Sequence, residues 1–351
     1  MPENDLVLRA ARKGRTERTP VWLMRQAGRF DPAYRAIRRS APLPLEELFR
    51  TPDLAAEISL LPQRLGVDAI IFFQDILTPL APMGAEFVFR PGPLLTSPIR
   101  TARDVDALRQ FDPAEELEFV SQTLRRLKRA LNDELPLLGF AGAPLTLAFF
   151  LIEGGSPTTG AAHTRSLMSE NPGLLHRLLG MLADVTAAYL KLQIEAGVDA
   201  VQLFESAANM VSRTEYEQFA HPYQIRVISK LATNVPVILF VKDQPFVDLM
   251  ADTGADVLSI ASCVDLAGAR AQVGDRVAIQ GNVDHRLLAA GPCEQIDAAV
   301  RACIRAGGHT GHILNLGNGL LSETPFDNVC RMIETARTFR VRGTGAPAAA
   351  R

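Results

Sequence analysis

The sequence predicts an α/β protein folded as one closed parallel barrel, a (β/α)8 or TIM-type arrangement, and three observations point there. Short apolar runs recur along the chain, each stretch between them is long enough for a helix, and polar or glycine residues mark the end of every run. The runs are Pro20–Met24, Asp68–Phe73, Pro136–Ala141, Ala200–Phe204, Pro236–Phe240, Asp256–Ile260, Val277–Gln280 and His312–Leu316, eight in all. Between the first and second of these runs the pattern is that of a helix. Thr51-Pro52 reads as an N-cap with proline at the first helical position, Leu54, Ile58, Leu61 and Leu65 follow on one face, and Gly66 stops the helix. Asn171-Pro172 opens a longer helix running to Gly197. Leu135–Ile152, broken by Pro136, Pro144 and glycines, reads as a buried strand entering a helix rather than a membrane span. The main rival is a doubly wound sheet, which would normally carry GxGxxG after an early strand; that run and a Walker loop are both missing.

Composition sets the outer limits. With 351 residues, 47% hydrophobic and 22% charged, the chain can bury a large core, and one domain over residues 1–342 is expected, followed by a disordered tail at 343–351. A net charge of −2 offers no general attraction to nucleic acid or anionic membrane, so an anion site must be made locally. Cys263, Cys293, Cys303 and Cys330 show no CxxC spacing, and the N-terminus lacks a signal-peptide core, which points to a reduced cytoplasmic protein.

If catalytic groups lie just past barrel strands, the strand ends identify them. They read Arg25 and Arg29, Gln74-Asp75, Gly142-Ala143, Glu205-Ser206, Lys242-Asp243, Ser262, Gly281-Asn282 and Gly317-Asn318. In TPVWLMRQAGR a buried Val21–Met24 strand would deliver both guanidiniums to one rim, with Gly28 permitting a turn that a Cβ would forbid. Paired guanidiniums stay charged and bind carboxylates bidentately, so they suit a polyanion; the plain alternative is a solvated face. Asp75 interrupts the apolar AIIFFQDILTPL, where an aspartate is costly without a partner. It is either a structural carboxylate, paired with an arginine or capping a helix, or a single anion aimed into a pocket. The six histidines form no HExxH and pair with no cysteine, Ser206 has no neighbouring histidine, and no GxSxG is present, so neither a metal site nor an acyl-enzyme is expected. Trp22 and the phenylalanines are most simply core.

PVWLMRQAGR (20–29) and GFAGAPLTLAFFLIEGG (139–155) resemble the two signatures of the uroporphyrinogen decarboxylase family, and the resemblance extends through 66–80, 200–206, 239–243, 273–284 and 312–320. It implies a single (β/α)8 barrel, a homodimer, no metal or organic cofactor, and conversion of the four acetates of uroporphyrinogen to methyls, giving coproporphyrinogen. By that resemblance Asp75 and Arg25 are the catalytic residues, Arg25 as carboxylate binder and possible proton donor, although a guanidinium is a weak general acid and a substrate carboxyl or held water could serve instead. Gln26, Arg29, Phe150, Phe204, Ser206 and Asn318 complete the implied substrate site. The sequence departs from the family pattern at Phe150, usually tyrosine, and Asn318, usually histidine; Ala261-Ser262 replaces a usual DW and Gln244-Pro245 a usual GH. Each lost hydrogen bond to a charge is worth roughly 1.5–3 kcal/mol, against barrier reductions of about 8–23 kcal/mol, so activity should survive. Two other functions are compatible with the resemblance: a corrinoid-dependent methyltransferase, whose zinc-binding His-x-Cys is replaced here by Phe240-Val241-Lys242, and a tetrapyrrole-binding paralogue without turnover.

Overall fold

Parallel strands covered on both faces need no alternation of polar and apolar residues, and the strands of this chain have none. The computed structural model describes residues 2–90, 92–157, 160–231 and 234–340. Its main sheet contains β1 (Ile70–Ile71), β4 (Leu137–Gly142), β5 (Ala200–Glu205), β6 (Val237–Val241), β7 (Val257–Ser259), β8 (Ala278–Gln280) and β9 (His312–Ile313), all parallel and in that spatial order. Every residue of β4 and β6 is buried. A separate antiparallel hairpin, β2 (Phe87–Phe89) with β3 (Pro93–Leu95), stands outside the sheet and was not foreseen. Seven of the eight apolar runs thus contain strands, in a curled α/β sheet.

The eighth run, Pro20–Met24, is not a strand, and its hydrogen bonds explain why. Pro20 has no N–H to donate. Val21 N is taken by the Asp68 carboxylate (2.8 Å), Leu23 N by Gln26 Oε1 (3.2 Å) and Met24 N by Asn315 Oδ1 (3.0 Å). Side chains therefore replace most of a ladder. The segment still touches both edges of the sheet: Asp68 N, just before β1, donates to Val21 O (2.7 Å), while Leu314 N, just after β9, donates to Pro20 O (2.8 Å), and Val21 forms a parallel bridge with Leu314. Trp22 is wholly buried, as a core residue should be, but its indole N–H also donates to Gln280 Oε1 (2.9 Å). Gln280 Nε2 in turn donates to Gln202 Oε1 and Ser259 Oγ (both 3.0 Å), so a sealed polar network ties the arginine-bearing segment to β5, β7 and β8.

The helices follow their sequence signals with small corrections. Pro52–Leu60 is α-helical and continues as a 3-10 turn, Leu61–Leu65, ending at Gly66 with φ 81°. Thr51 does not cap it; its hydroxyl donates to Glu47 O (2.8 Å) in the preceding turn. Asn171 does cap Pro172–Glu195, its Oδ1 accepting from Leu174 N (3.2 Å). The 135–152 stretch divides as expected into β4 and the helix Pro144–Glu153. Among the described residues no helix is long and apolar enough to cross a membrane. The tail at 343–351 lies outside the described residues.

Candidate active site

Residues from the C-terminal ends of the strands wall a cavity of about 610 Å³. Arg25, Gln26, Arg29, Asp75, Phe150, Phe204, Ser206 and Asn318 all line it, so the structure brings together the residues that the family resemblance implied for the site. Lys242, Asp243, Ser262 and Asn282, also at strand ends, are not part of its wall.

Arg25 is the residue that the turn holds in an unusual backbone conformation. Its φ is 63°, in the left-handed region, whereas Gly28, expected to take that role, has no positive φ. A non-glycine residue there costs roughly 1–2 kcal/mol. The surroundings hold it in place: Gln26 N closes the turn onto Leu23 O (3.0 Å), Gln26 Nε2 donates to Ala69 O (3.0 Å), and Leu320 N donates to Met24 O (3.0 Å). Gln26 is therefore occupied as a brace although it borders the cavity. Gly319 provides the room for the arginine stem, because a Cβ there would lie 2.6 Å from Arg25 Cδ.

Neither the Arg25 nor the Arg29 guanidinium has a hydrogen-bonded or ion-paired partner among the described residues. Arg25 is open to the cavity yet surrounded by protein, and its pKa is lowered, first by that burial and then by the like charge of Arg29, with Asp75 opposing. Two cations without a protein counter-ion at one rim are placed to receive an anion from outside.

Asp75 lies within electrostatic reach of Arg25 but makes no ion pair with it. Its Oδ1 accepts from Leu77 N (2.7 Å), at the start of the 3-10 turn Thr78–Leu80, and among the described residues no donor meets its other oxygen. The carboxyl is pushed up to about 6, mainly by burial, against the Leu77 N–H and the Arg25 charge. Asp75 N donates to Gln74 Oε1 (3.1 Å) and Thr78 Oγ1 to Asp75 O (2.8 Å), which fixes the backbone on both sides of the carboxylate. Both readings from sequence are thus partly realised: one oxygen caps a turn, and the other is left to the cavity.

Four phenylalanines, of which the sequence points only Phe204 toward a site, make up one wall of the cavity. Phe72, Phe140, Phe204 and Phe240 come from β1, β4, β5 and β6 or the residue just after, and successive ring centroids are 5.0, 5.7 and 5.7 Å apart. The recurrence of phenylalanine at four strand ends was the available signal. Such a wall lowers the local dielectric and strengthens the field of Asp75. Phe150 stands edge-on to Phe87 of the hairpin (6.4 Å), and Phe89 and Pro93 of the same hairpin line the cavity. Asn318 Oδ1 accepts from Gly319 N (2.8 Å), and its amide N–H groups have no hydrogen-bond partner among the described residues.

Glu205 follows Phe204 and, by strand alternation, points away from the cavity. It is fully buried, accepts from Thr146 Oγ1 (2.5 Å) and Gln224 Nε2 (3.1 Å), and burial pushes its pKa up to about 7. A folded pKa above the ordinary carboxyl value means that the folded state binds the proton more tightly, so stability is lost as pH rises through that interval. Glu205→Gln removes this loss. Urea midpoints at about pH 5 and about pH 8 should move in favour of the variant at the higher pH; an unchanged difference would refute the assignment.

Among the described residues no three His, Cys, Asp or Glu side chains gather as metal ligands. The chain matches a family model described as uroporphyrinogen decarboxylase (URO-D) over residues 2–339. It is 45% identical over 344 residues to the uroporphyrinogen decarboxylase of Myxococcus xanthus, covering 96% of this chain and 97% of that protein. It is 43% identical to that of a Picosynechococcus species, with 95% and 97% covered. A solved methyltransferase from Methanosarcina mazei shares the fold with a TM-score of 0.78 at 20% identity, covering 96% of this chain and 98% of that one. The model match and these full-length relatives place the chain in the uroporphyrinogen decarboxylase family.

Proposed function

We propose that this chain decarboxylates the four acetate side chains of uroporphyrinogen to give coproporphyrinogen in tetrapyrrole biosynthesis, inside the 610 Å³ cavity and without metal or organic cofactor. In this reading Pro20–Met24 serves as the irregular eighth member of a closed barrel, since it bonds to both edges of the sheet. The active form is proposed to be a homodimer.

The chemistry needs an electron sink and a stabiliser of positive charge. A proton added to the ring carbon adjacent to the one bearing an acetate makes the ring cationic; the C–CO₂ bond then breaks, its electron pair neutralises the ring as an exocyclic methylene, and CO₂ leaves. A second proton converts the methylene to methyl while the ring proton departs, so each CO₂ released consumes one proton. Asp75, with one oxygen fixed by Leu77 N and the other free, is a preorganised anion for the pyrrole N–H groups and the transient cation. Arg25 and Arg29 hold carboxylates, and the lowered pKa of Arg25 is in the direction a proton donor needs. The aromatic wall offers faces to a large ring system.

The observation that carries this reading is the convergence of two uncompensated guanidiniums and a half-free carboxylate on one cavity. It is tested by incubating the protein anaerobically with uroporphyrinogen and a chelator, oxidising, and separating the porphyrins by carboxyl number. Species with seven to four carboxyls are expected. Persistence of the eight-carboxyl species alone at high protein concentration would overturn the assignment, and loss of activity with stoichiometric zinc would favour methyltransferase chemistry.

A further inference from the structure

Tyr34 lies on the helix Pro32–Ser40, directly after the arginine turn. Its ring is buried, only 7% exposed, and packs against Phe73 at 5.8 Å and against Leu48 and Ile58. The same residue lines the cavity. Its phenol has no hydrogen-bond partner among the described residues, yet its oxygen is not among the sealed, stranded polar atoms; Tyr189, whose hydroxyl is sealed, shows the contrast. A tyrosine hydroxyl that is neither satisfied by protein nor sealed from space is available to whatever fills that space.

The charges around this phenol give the chemistry of the occupant. Arg29 and Arg38 are the charged groups that act on it, and Asp75 is not, although Asp75 acts on both Arg25 and Tyr189. Tyr34 therefore belongs to the Arg29 side of the cavity. Arg38 already donates to Leu43 O (2.8 Å), whereas the Arg29 guanidinium has no partner. A carboxylate held by Arg29 keeps lone pairs that one further O–H can fill.

We infer that Tyr34 is a substrate-binding residue whose hydroxyl, together with the Arg29 guanidinium, seats one tetrapyrrole carboxylate that is not the one reacting at Asp75. The inference rests on the cavity being the substrate site. Binding of a non-reacting group raises affinity without altering the chemical step. Tyr34→Phe retains the ring and its packing and removes only the hydroxyl, so the KM for uroporphyrinogen should rise roughly tenfold with kcat held within about twofold. In an Arg29→Ala background the same substitution should cost much less, because both groups hold one carboxylate.

The parallel Arg29→Ala variant separates the two ways of failing. A raised KM for Arg29→Ala with an unchanged KM for Tyr34→Phe would overturn this inference and leave the cavity assignment standing. Unchanged KM in both would overturn the cavity assignment itself. Equal effects of Tyr34→Phe with and without Arg29 would contradict a shared carboxylate, and a fall in kcat alone would contradict a binding role.

Discussion

Asp75→Asn is expected to reduce kcat by at least about a hundredfold to a thousandfold, the range seen when one preorganised electrostatic group is removed from an active site. The substitution is close to isosteric, and the amide oxygen can still accept from Leu77 N, so the 3-10 turn after β1 should persist. What is lost is the negative charge opposite a developing cation. The same charge dictates a pH dependence in the native protein. With its carboxyl pushed up to about 6, Asp75 is anionic above that value and neutral below it. The kcat/KM should therefore fall as pH drops through about 6, and the acid limb should reflect the free protein. Near-normal turnover by Asp75→Asn, with unfolding midpoints like the native protein, would refute the role.

Asp68→Ala should lower stability by about 3–5 kcal/mol, the cost of removing one partner of a buried ion pair. Asp68 is 1% exposed and accepts from both terminal nitrogens of Arg18 (each 2.6 Å), from Asn4 Nδ2 (2.8 Å) and from Val21 N (2.8 Å). Removing it takes this carboxylate from the Arg18 charge and from two other donors, Asn4 Nδ2 and Val21 N. The consequence extends to the site, because Val21 begins the segment that ends in Arg25. A large drop in the urea midpoint is expected, with a raised KM in any protein that remains folded. A loss under about 1 kcal/mol would show that the segment is held by other means.

These two carboxylates mark what the sequence could and could not disclose. Asp75 was legible because an aspartate inside an apolar run contradicts its surroundings, and the strand-end rule located it beside arginines fifty residues away. Asp68 was read merely as the first residue of a strand. Its role depends on Arg18, Asn4 and Val21 meeting in space, which no local pattern encodes. For the same reason Pro20–Met24 reads as a strand in sequence: its composition is that of one, but most of its donors are satisfied by Asp68, Gln26 and Asn315. Glycine was the reasonable choice for a left-handed turn, and Arg25 occupies that conformation only because flanking bonds from Gln26 and Leu320 enforce it. The phenylalanine wall was hidden by ambiguity of type, since apolar strand residues look alike whether they face a core or a cavity.

The most direct measurement of the central claim is a structure of the protein, crystallised anaerobically, with coproporphyrinogen bound. The account predicts the macrocycle within the 610 Å³ cavity, its pyrrole N–H groups within hydrogen-bond distance of the Asp75 carboxylate, and its carboxylates on Arg25 and Arg29. A tetrapyrrole bound elsewhere, or oriented with its N–H groups turned away from Asp75, would contradict it.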